Sequence, residues 1–270
     1  MRRDDVRVLA IGLVYQACWA PDRMGAQKEG FGHMVRSWLQ SGRSFVVVCV
    51  ITCFGTLVAA STPAKAEDSF QLWSALFVNG PVKDDSNLLL WFDGHARSMD
   101  GVDGLGVSIL RPGVGYRLSD NLSGWVGYAR VEARQDGAPD VIEDRIWQQA
   151  TYNFGTVLGG RLSGRSRLEQ RFFNTGSDTA WRWRQFFRYD RPFVDTPFRF
   201  VLWNETFIDL NDTDFGIESG FGQNRTFIGA GWQFSKPVRV EAGYLFNPIS
   251  VPNAADLDVN IFSINLFVPL

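Results

Sequence analysis

Beyond residue 66 the chain has no cysteine, one histidine and two lysines, and each shortage removes a class of function. All three cysteines, Cys18, Cys49 and Cys53, come earlier, so the remainder has neither a disulfide framework nor thiol chemistry. With His95 as the only imidazole there and no thiolate, the usual zinc ligand sets are excluded, and no metal or other cofactor is expected. No segment keeps a sustained helical period. The apolar run from Phe45 to Ala60 is too short for a comfortable transmembrane helix. The glycines between Gly101 and Gly106 have no helix after them to complete a phosphate cradle.

That apolar run has a different use. It follows basic residues at Arg36 and Arg43 and ends in Ala64-Lys65-Ala66, the small-x-small pattern of a cleaved secretory signal. The chain therefore divides into an upstream extension (1–33, with Met34 as a plausible true start), a signal peptide (34–66, cut after Ala66) and a domain at 67–270. None of the cysteines sits where lipoprotein anchoring would need it.

What is abundant is arginine, and its placement is periodic. The stretch 67–270 holds 17 arginines against 25 acidic residues. Most arginines alternate with apolar or aromatic residues, as in Arg165-Ser166-Arg167-Leu168-Glu169-Gln170-Arg171-Phe172 and Trp181-Arg182-Trp183-Arg184. Most aspartates fall in the breaks between such runs, for example Asp84-Asp85 and Asp212 with Asp214. A strand sends successive side chains to opposite faces, so each run makes one cationic face and one greasy face. Repeated over most of the domain, the pattern predicts a sheet whose greasy face meets lipid and whose charged face lines an interior.

Eleven candidate strands follow: 69–79, 87–98, 105–118, 122–134, 143–155, 160–174, 180–193, 198–210, 222–235, 238–248 and 257–268. Short breaks (119–121, 158–159, 195–197, 235–237) alternate with long ones (135–142, 175–179, 211–221, 249–256), the rhythm of periplasmic turns and outer loops. The predicted lipid face includes Leu88, Leu90, Phe92, Trp181, Trp183, Phe187, Ile228, Trp232, Tyr244 and Phe262. Arginine on that face would cost about 2–4 kcal/mol at mid-depth, so the charges are assigned inward. Single-chain bacterial barrels have an even strand number with both ends periplasmic. The expectation is therefore an all-β, single antiparallel transmembrane barrel of ten strands with residues 67–80 as an N-terminal arm, or of twelve if one strand is hidden. A soluble lipocalin-like binding barrel is the alternative fold.

The candidate site is the lumen. Two Arg-x-Glu-x-Arg triads, Arg130-Glu132-Arg134 and Arg167-Glu169-Arg171, each place a carboxylate between two guanidiniums on one face of a strand. Arg182, Arg184, Arg188, Arg225 and Glu241 are expected to join them, with Arg111, Arg117, Arg145, Arg199, Glu205 and Arg239 as inward neighbours. A barrel of this size is nearly filled by its own side chains, so these charges should pair into a network that fills the lumen. An excess of inward arginine would favour passage or binding of a small anion. An enzyme would need His95, flanked by Asp93 and Arg97, as the base of a barrel-embedded lipid hydrolase. Ser108, a candidate nucleophile, falls on the lipid side of this register, and no nucleophile motif is present.

Several blocks, in order, resemble a bacterial family catalogued as domain of unknown function 2490. They are Arg111-Pro112-Gly113-Val114-Gly115-Tyr116, Trp125-Val126-Gly127-Tyr128, Arg167-Leu168-Glu169-Gln170-Arg171 with Arg182 and Arg184, Gln223-Asn224-Arg225 with Gly229, and Val240-Glu241-Ala242-Gly243-Tyr244. The resemblance implies an outer-membrane barrel of a Gram-negative bacterium without an assigned activity. The expected partners of the chain are outer-membrane lipid and the barrel-assembly machinery, with a small anion in the lumen only if arginines there are in excess, and no nucleic acid. The ending Phe267-Val268-Pro269-Leu270 departs from the usual aromatic C-terminal signal of such barrels.

Overall fold

The alternation of greasy and charged residues closes on itself. In the computed structural model, which describes residues 69–99, 102–234, 238–252 and 254–270, the described residues form strands and connections without a helix. The strands are β1 (Ser69–Pro81), β2 (Leu88–Met99), β3 (Val102–Ser119), β4 (Leu122–Ala133), β5 (Val141–Val157), β6 (Gly160–Phe173), β7 (Thr179–Pro192), β8 (Phe198–Asp209), β9 (Gly220–Gln233), β10 (Arg239–Ile249) and β11 (Leu257–Pro269). They make one closed barrel in which each strand pairs antiparallel with its neighbours in sequence. The proposed extension and signal peptide, 1–33 and 34–66, lie outside the described residues.

The seam corrects the expectation of ten strands and an arm. β1 stands in the wall, antiparallel to β2 and parallel to β11, in register from Ser69 opposite Val259 to Asn79 opposite Pro269. The wall thus has eleven strands, and its antiparallel order is interrupted once. Without β1, the backbone groups along the open edges of β2 and β11 would lack partners, and an unpaired edge is costly. β1 also carries the alternation needed on both faces. Gln71, Trp73, Ala75 and Phe77 take the inward positions, and Phe70, Leu72 and Leu76 are exposed outward. The even-number rule outweighed this pattern in the sequence reading.

The two-residue turns 120–121 and 158–159 sit at one rim, which also carries the connections 82–87 and 193–197. Leu158 and Gly159, with φ of 49° and 75°, form a two-residue turn with both residues left-handed, the geometry that suits the twist of a hairpin. The opposite rim carries the connections at 134–140, 174–178, 210–219 and 250–256, among them the longest.

Polarity is reversed relative to a water-soluble barrel. Outward positions expose Leu88, Leu90, Phe92, Leu110, Val114, Ile146, Trp181, Trp183, Ile228 and Phe262. The buried set includes Asp93, Glu143, Arg145, Arg167, Glu169, Arg182, Arg184, Glu205 and Glu241. Polar side chains on the outer wall of β8 and β9 satisfy one another. Asn204 donates to Asn224 (2.7 Å) and Thr226 (2.8 Å), and Asn224 donates to Thr206 (2.9 Å).

One interior contact organises the β3–β5 side. Trp147 of β5 is 0% exposed and lies across Gly127 of β4 and Gly113 of β3. A Cβ at either glycine would stand 2.3 Å or 2.5 Å from the indole, so only a residue without a side chain leaves room for the ring there. The indole N–H donates to the backbone oxygen of Tyr128 at 3.1 Å, which satisfies its one polar group.

Candidate functional site

Three layers fill the barrel from the long-loop rim to the short-turn rim. The first is apolar. Phe215 and Ile217, from the β8–β9 connection, pack with Val141, Phe173 and Ala180, which face inward on β5, β6 and β7. A second apolar cluster, Val201, Phe227, Leu245, Val259 and Ile261 with Trp73, Trp203 and Ile249 against it, runs along β8–β11 through the depth of the other layers.

The second layer is ionic. Glu169 of β6, 0% exposed, accepts from Arg182 Nη2 (2.7 Å) and Arg184 Nη1 (2.7 Å) of β7, with Arg167 at 3.6 Å and Arg145 at 4.0 Å. Glu143 accepts from Arg145 (2.5 and 2.7 Å) and from Arg171 (2.5 and 3.2 Å). Glu205 accepts from Arg165 (2.6 Å) and Arg184 Nε (3.0 Å), so Arg184 joins two carboxylates. Asp93 accepts from Arg111 (2.7 Å) and Trp91 (2.5 Å) and contacts His95 Nε2 at 2.6 Å. Nearer the short turns, Asp190 binds Arg188, Arg199 and Arg239, and Glu241 binds Arg188 and Arg239. These bonds run mainly across strands because directly opposed residues lie closer than i and i+2 on one strand.

Arg167 meets Glu169 only at 3.6 Å, beyond hydrogen-bond reach. It is 0% exposed, donates from Nε to Gln149 at 2.8 Å, and leaves both terminal nitrogens without a hydrogen bond. Its guanidinium instead lies 4.6 Å from the Trp147 ring centroid and 5.9 Å from that of Trp91. An aromatic face attracts a cation without neutralising it.

The third layer is a cavity of about 950 Å³ that reaches the short-turn rim at Asp120, Asn121 and Pro269. Ten arginines line it (97, 111, 117, 161, 165, 184, 188, 199, 225 and 239), against only Asp120 and Glu205 as carboxylates, so the space is strongly cationic. Its lining ends inward at Arg111, Arg184 and Glu205 and includes no residue of the apolar cap formed by Phe215 and Ile217.

A family model described as a protein of unknown function (DUF2490) matches residues 70–258, from β1 into β11. The chain belongs to this family. An uncharacterized protein of Methylorubrum extorquens is 35% identical over 217 residues, which cover 78% of this chain and 93% of that relative. Among solved structures, LpxR from Salmonella typhimurium is similar with a TM-score of 0.40 at 10% identity, over 67% of this chain and 83% of that one. An anion-selective porin from Comamonas acidovorans is similar with a TM-score of 0.32 at 14% identity, over 65% of this chain and 55% of that one.

Within this family member, the residues singled out from sequence separate into two groups. Arg167, Glu169, Arg171, Arg182, Arg184, Arg188, Arg225 and Glu241 come together inside the barrel. Arg130 and Glu132 do not, which corrects their assignment to the lumen. Their side chains are 40% and 51% exposed on the outer face, and Arg134 is exposed beyond them. Arg130 pairs there with Glu132 (3.2 Å) and Asp144 (3.3 Å), and Tyr128 donates to Asp144. The inner positions of β4 are instead Gly127, Ala129 and Val131, because Trp147 needs the space above them. His95 faces the lumen and is engaged by Asp93 and the edge of Phe77, while Ser108 pairs across β2 with Ala96 on the outward side. Glu143, Asp190, Trp73, Trp91 and Trp147 were missed as lumen residues. Apart from Trp73, whose strand carries no charge, each shares strand parity with a recognised inward charge, as Trp147 does with Arg145, and parity was the available signal.

The apolar cap is latched by the connections themselves. Asp214 accepts from Ser177 N (2.9 Å), Ser177 Oγ (2.7 Å) and Asp178 N (3.2 Å), and Asp178 accepts from Asp214 N (2.7 Å). The donors from Ser177 hold the Asp214 carboxyl below its ordinary value of 3.8. A depressed folded value stabilises the latch above the unfolded value, and that contribution is lost as pH falls through the folded one. Protease cleavage within 210–219 should therefore rise as pH drops below about 4. In Asp214→Asn, cleavage at neutral pH should already be raised and less dependent on acid. Equal acid sensitivity in the two proteins would place the titration elsewhere.

Proposed function

We propose that this chain is an outer-membrane barrel whose arginine-rich lumen binds small anions from the periplasmic side without conducting them. The observation that carries this reading is the cationic cavity open at the short turns and bounded inward by the ion-pair layer. Membrane placement is supported by the inverted polarity: a belt of exposed Leu, Phe, Trp and Ile outside, and paired charges inside. A closed barrel also leaves no backbone edge to be satisfied in lipid. Two-residue turns at the cavity rim and the longest connections at the other favour the periplasm as the side toward which the cavity opens.

Binding is favoured over passage because the lumen narrows to side chains that already bind one another. A conducting pore needs sites weak enough to release their ion, whereas Arg184 is held by Glu169 and Glu205 together. The refolded barrel should bind pyrophosphate in calorimetry, with affinity falling steeply between low and physiological salt. It should bind no choline, and planar bilayers containing it should show no steady anion current. A stable anion-selective conductance would replace binding with passage. Absence of pyrophosphate binding at low salt would reduce the lumen to a structural network.

A further inference from the structure

Two lumen arginines form no ion pair. Arg97 of β2 and Arg225 of β9 line the cavity, and among the described residues neither has a carboxylate partner or a hydrogen bond. Glu205 stands directly opposite Arg225 in the β8–β9 register, yet its Oε1 is already taken by Arg165 and Arg184. Aromatic rings hold the two guanidiniums instead. Arg97 lies 4.0 Å and Arg225 lies 5.1 Å from the centroid of the Trp73 ring, and Arg225 is also 4.6 Å from that of Phe207. Trp73 is itself fixed by donating to Gln71 at 3.0 Å.

Two cations gathered on one indole have no carboxylate bonded to them, and ring attraction orients a guanidinium without cancelling its charge. Their Nε atoms are buried and unbonded, while the guanidiniums border the open space. Each therefore presents the planar fork that suits a carboxylate or phosphate, and the pair supplies the charge to match a dianion. The cavity of about 950 Å³ is far larger than an inorganic anion needs and falls in the range of organic ligand sites. Phe186, Trp203, Leu245 and Phe267 add apolar wall to it, which an aromatic or aliphatic body could cover.

We infer that Arg97 and Arg225, mounted on Trp73, form the headgroup site for an organic phosphate monoester whose apolar body lies along the aromatic wall of the cavity. This rests on the anion-binding reading and adds to it the residues and the class of ligand.

The test uses the refolded barrel in a neutral maltoside detergent, with phenyl phosphate, inorganic phosphate and benzoate as probes in calorimetry. Wild-type protein should bind phenyl phosphate more tightly than either of the others. Arg97→Gln and Arg225→Gln should each weaken phenyl phosphate by roughly tenfold or more, through loss of a charge-assisted fork. Arg134→Gln, at an exposed position outside the cavity lining, should change it little. Without ligand, both cavity variants should be at least as resistant to urea as wild type, since an unpaired charge has been removed. If a glutamine variant fails to refold, the lysine variant at that position takes its place. Lysine keeps the charge, loses the planar fork, and should still weaken phenyl phosphate severalfold.

Unchanged phenyl phosphate affinity in both variants, with pyrophosphate still bound by wild type, would overturn this site and leave the broader reading standing. Tighter binding of benzoate would overturn the ligand class. A marked loss of urea resistance in both ligand-free variants would make the pair structural. Failure of wild type to bind pyrophosphate would remove the underlying reading itself.

Discussion

Glu169→Gln is expected to destabilise the barrel by about 3–5 kcal/mol, the cost of leaving buried charges without their partner. Glu169 is 0% exposed and receives short bonds from Arg182 and Arg184, with Arg145 and Arg167 close by, so one neutral amide would stand where four guanidiniums converge. Glutamine preserves shape and removes only the charge, which separates electrostatics from packing. The measurement is the urea midpoint of the refolded protein in detergent, followed by heat-modifiable migration. Because the penalty comes from orphaned cations, Glu169→Gln combined with Arg182→Met should be milder than Glu169→Gln alone. A double variant at least as unstable as the additive sum, or a single variant within about 1 kcal/mol of wild type, would mean that the network does not hold the lumen.

Trp147→Ala is the second large effect, expected to cost about 3–5 kcal/mol as a buried aromatic removed from a site that cannot collapse. The ring fills the slot over Gly113 and Gly127, and no neighbouring side chain on those residues can move into the gap. The same substitution removes the aromatic face nearest Arg167, whose terminal nitrogens have no hydrogen bond. Trp147→Phe should lose about half as much, since phenylalanine retains a ring but not the full area or the bond to Tyr128 O. Equilibrium unfolding of the two variants would decide it. Equal losses would show that the slot is not what Trp147 stabilises.

Much of the wall was legible because alternation is a local property. Each of the eleven segments read from sequence is a strand, with ends displaced by only a few residues. Pairing is not local, and this is why β1 was misplaced. Nothing in Phe70, Gln71, Leu72 and Trp73 says that their partner is β11, 190 residues on, or that it runs parallel. The rule that charges point inward also failed locally. Along β4, Val126 and Tyr128 share parity with Arg130 and Glu132, and the small Gly127 and Ala129 take the other face. Small residues facing a tryptophan on the next strand were the better guide to the interior than charge. The unpaired Arg97 and Arg225 were the least accessible, because a cation's lack of a partner depends on where every carboxylate ends up.

The parallel seam has a consequence for how the molecule can be addressed. Because β1 and β11 run the same way, residue 70 enters the wall at the rim of the long connections, whereas residue 269 leaves it among the tight turns. An odd number of crossings gives the barrel a head and a tail. In any layer that the wall spans, a label at Phe70 and a label at Leu270 would report to opposite compartments. Adding or losing a single strand would put them on the same side.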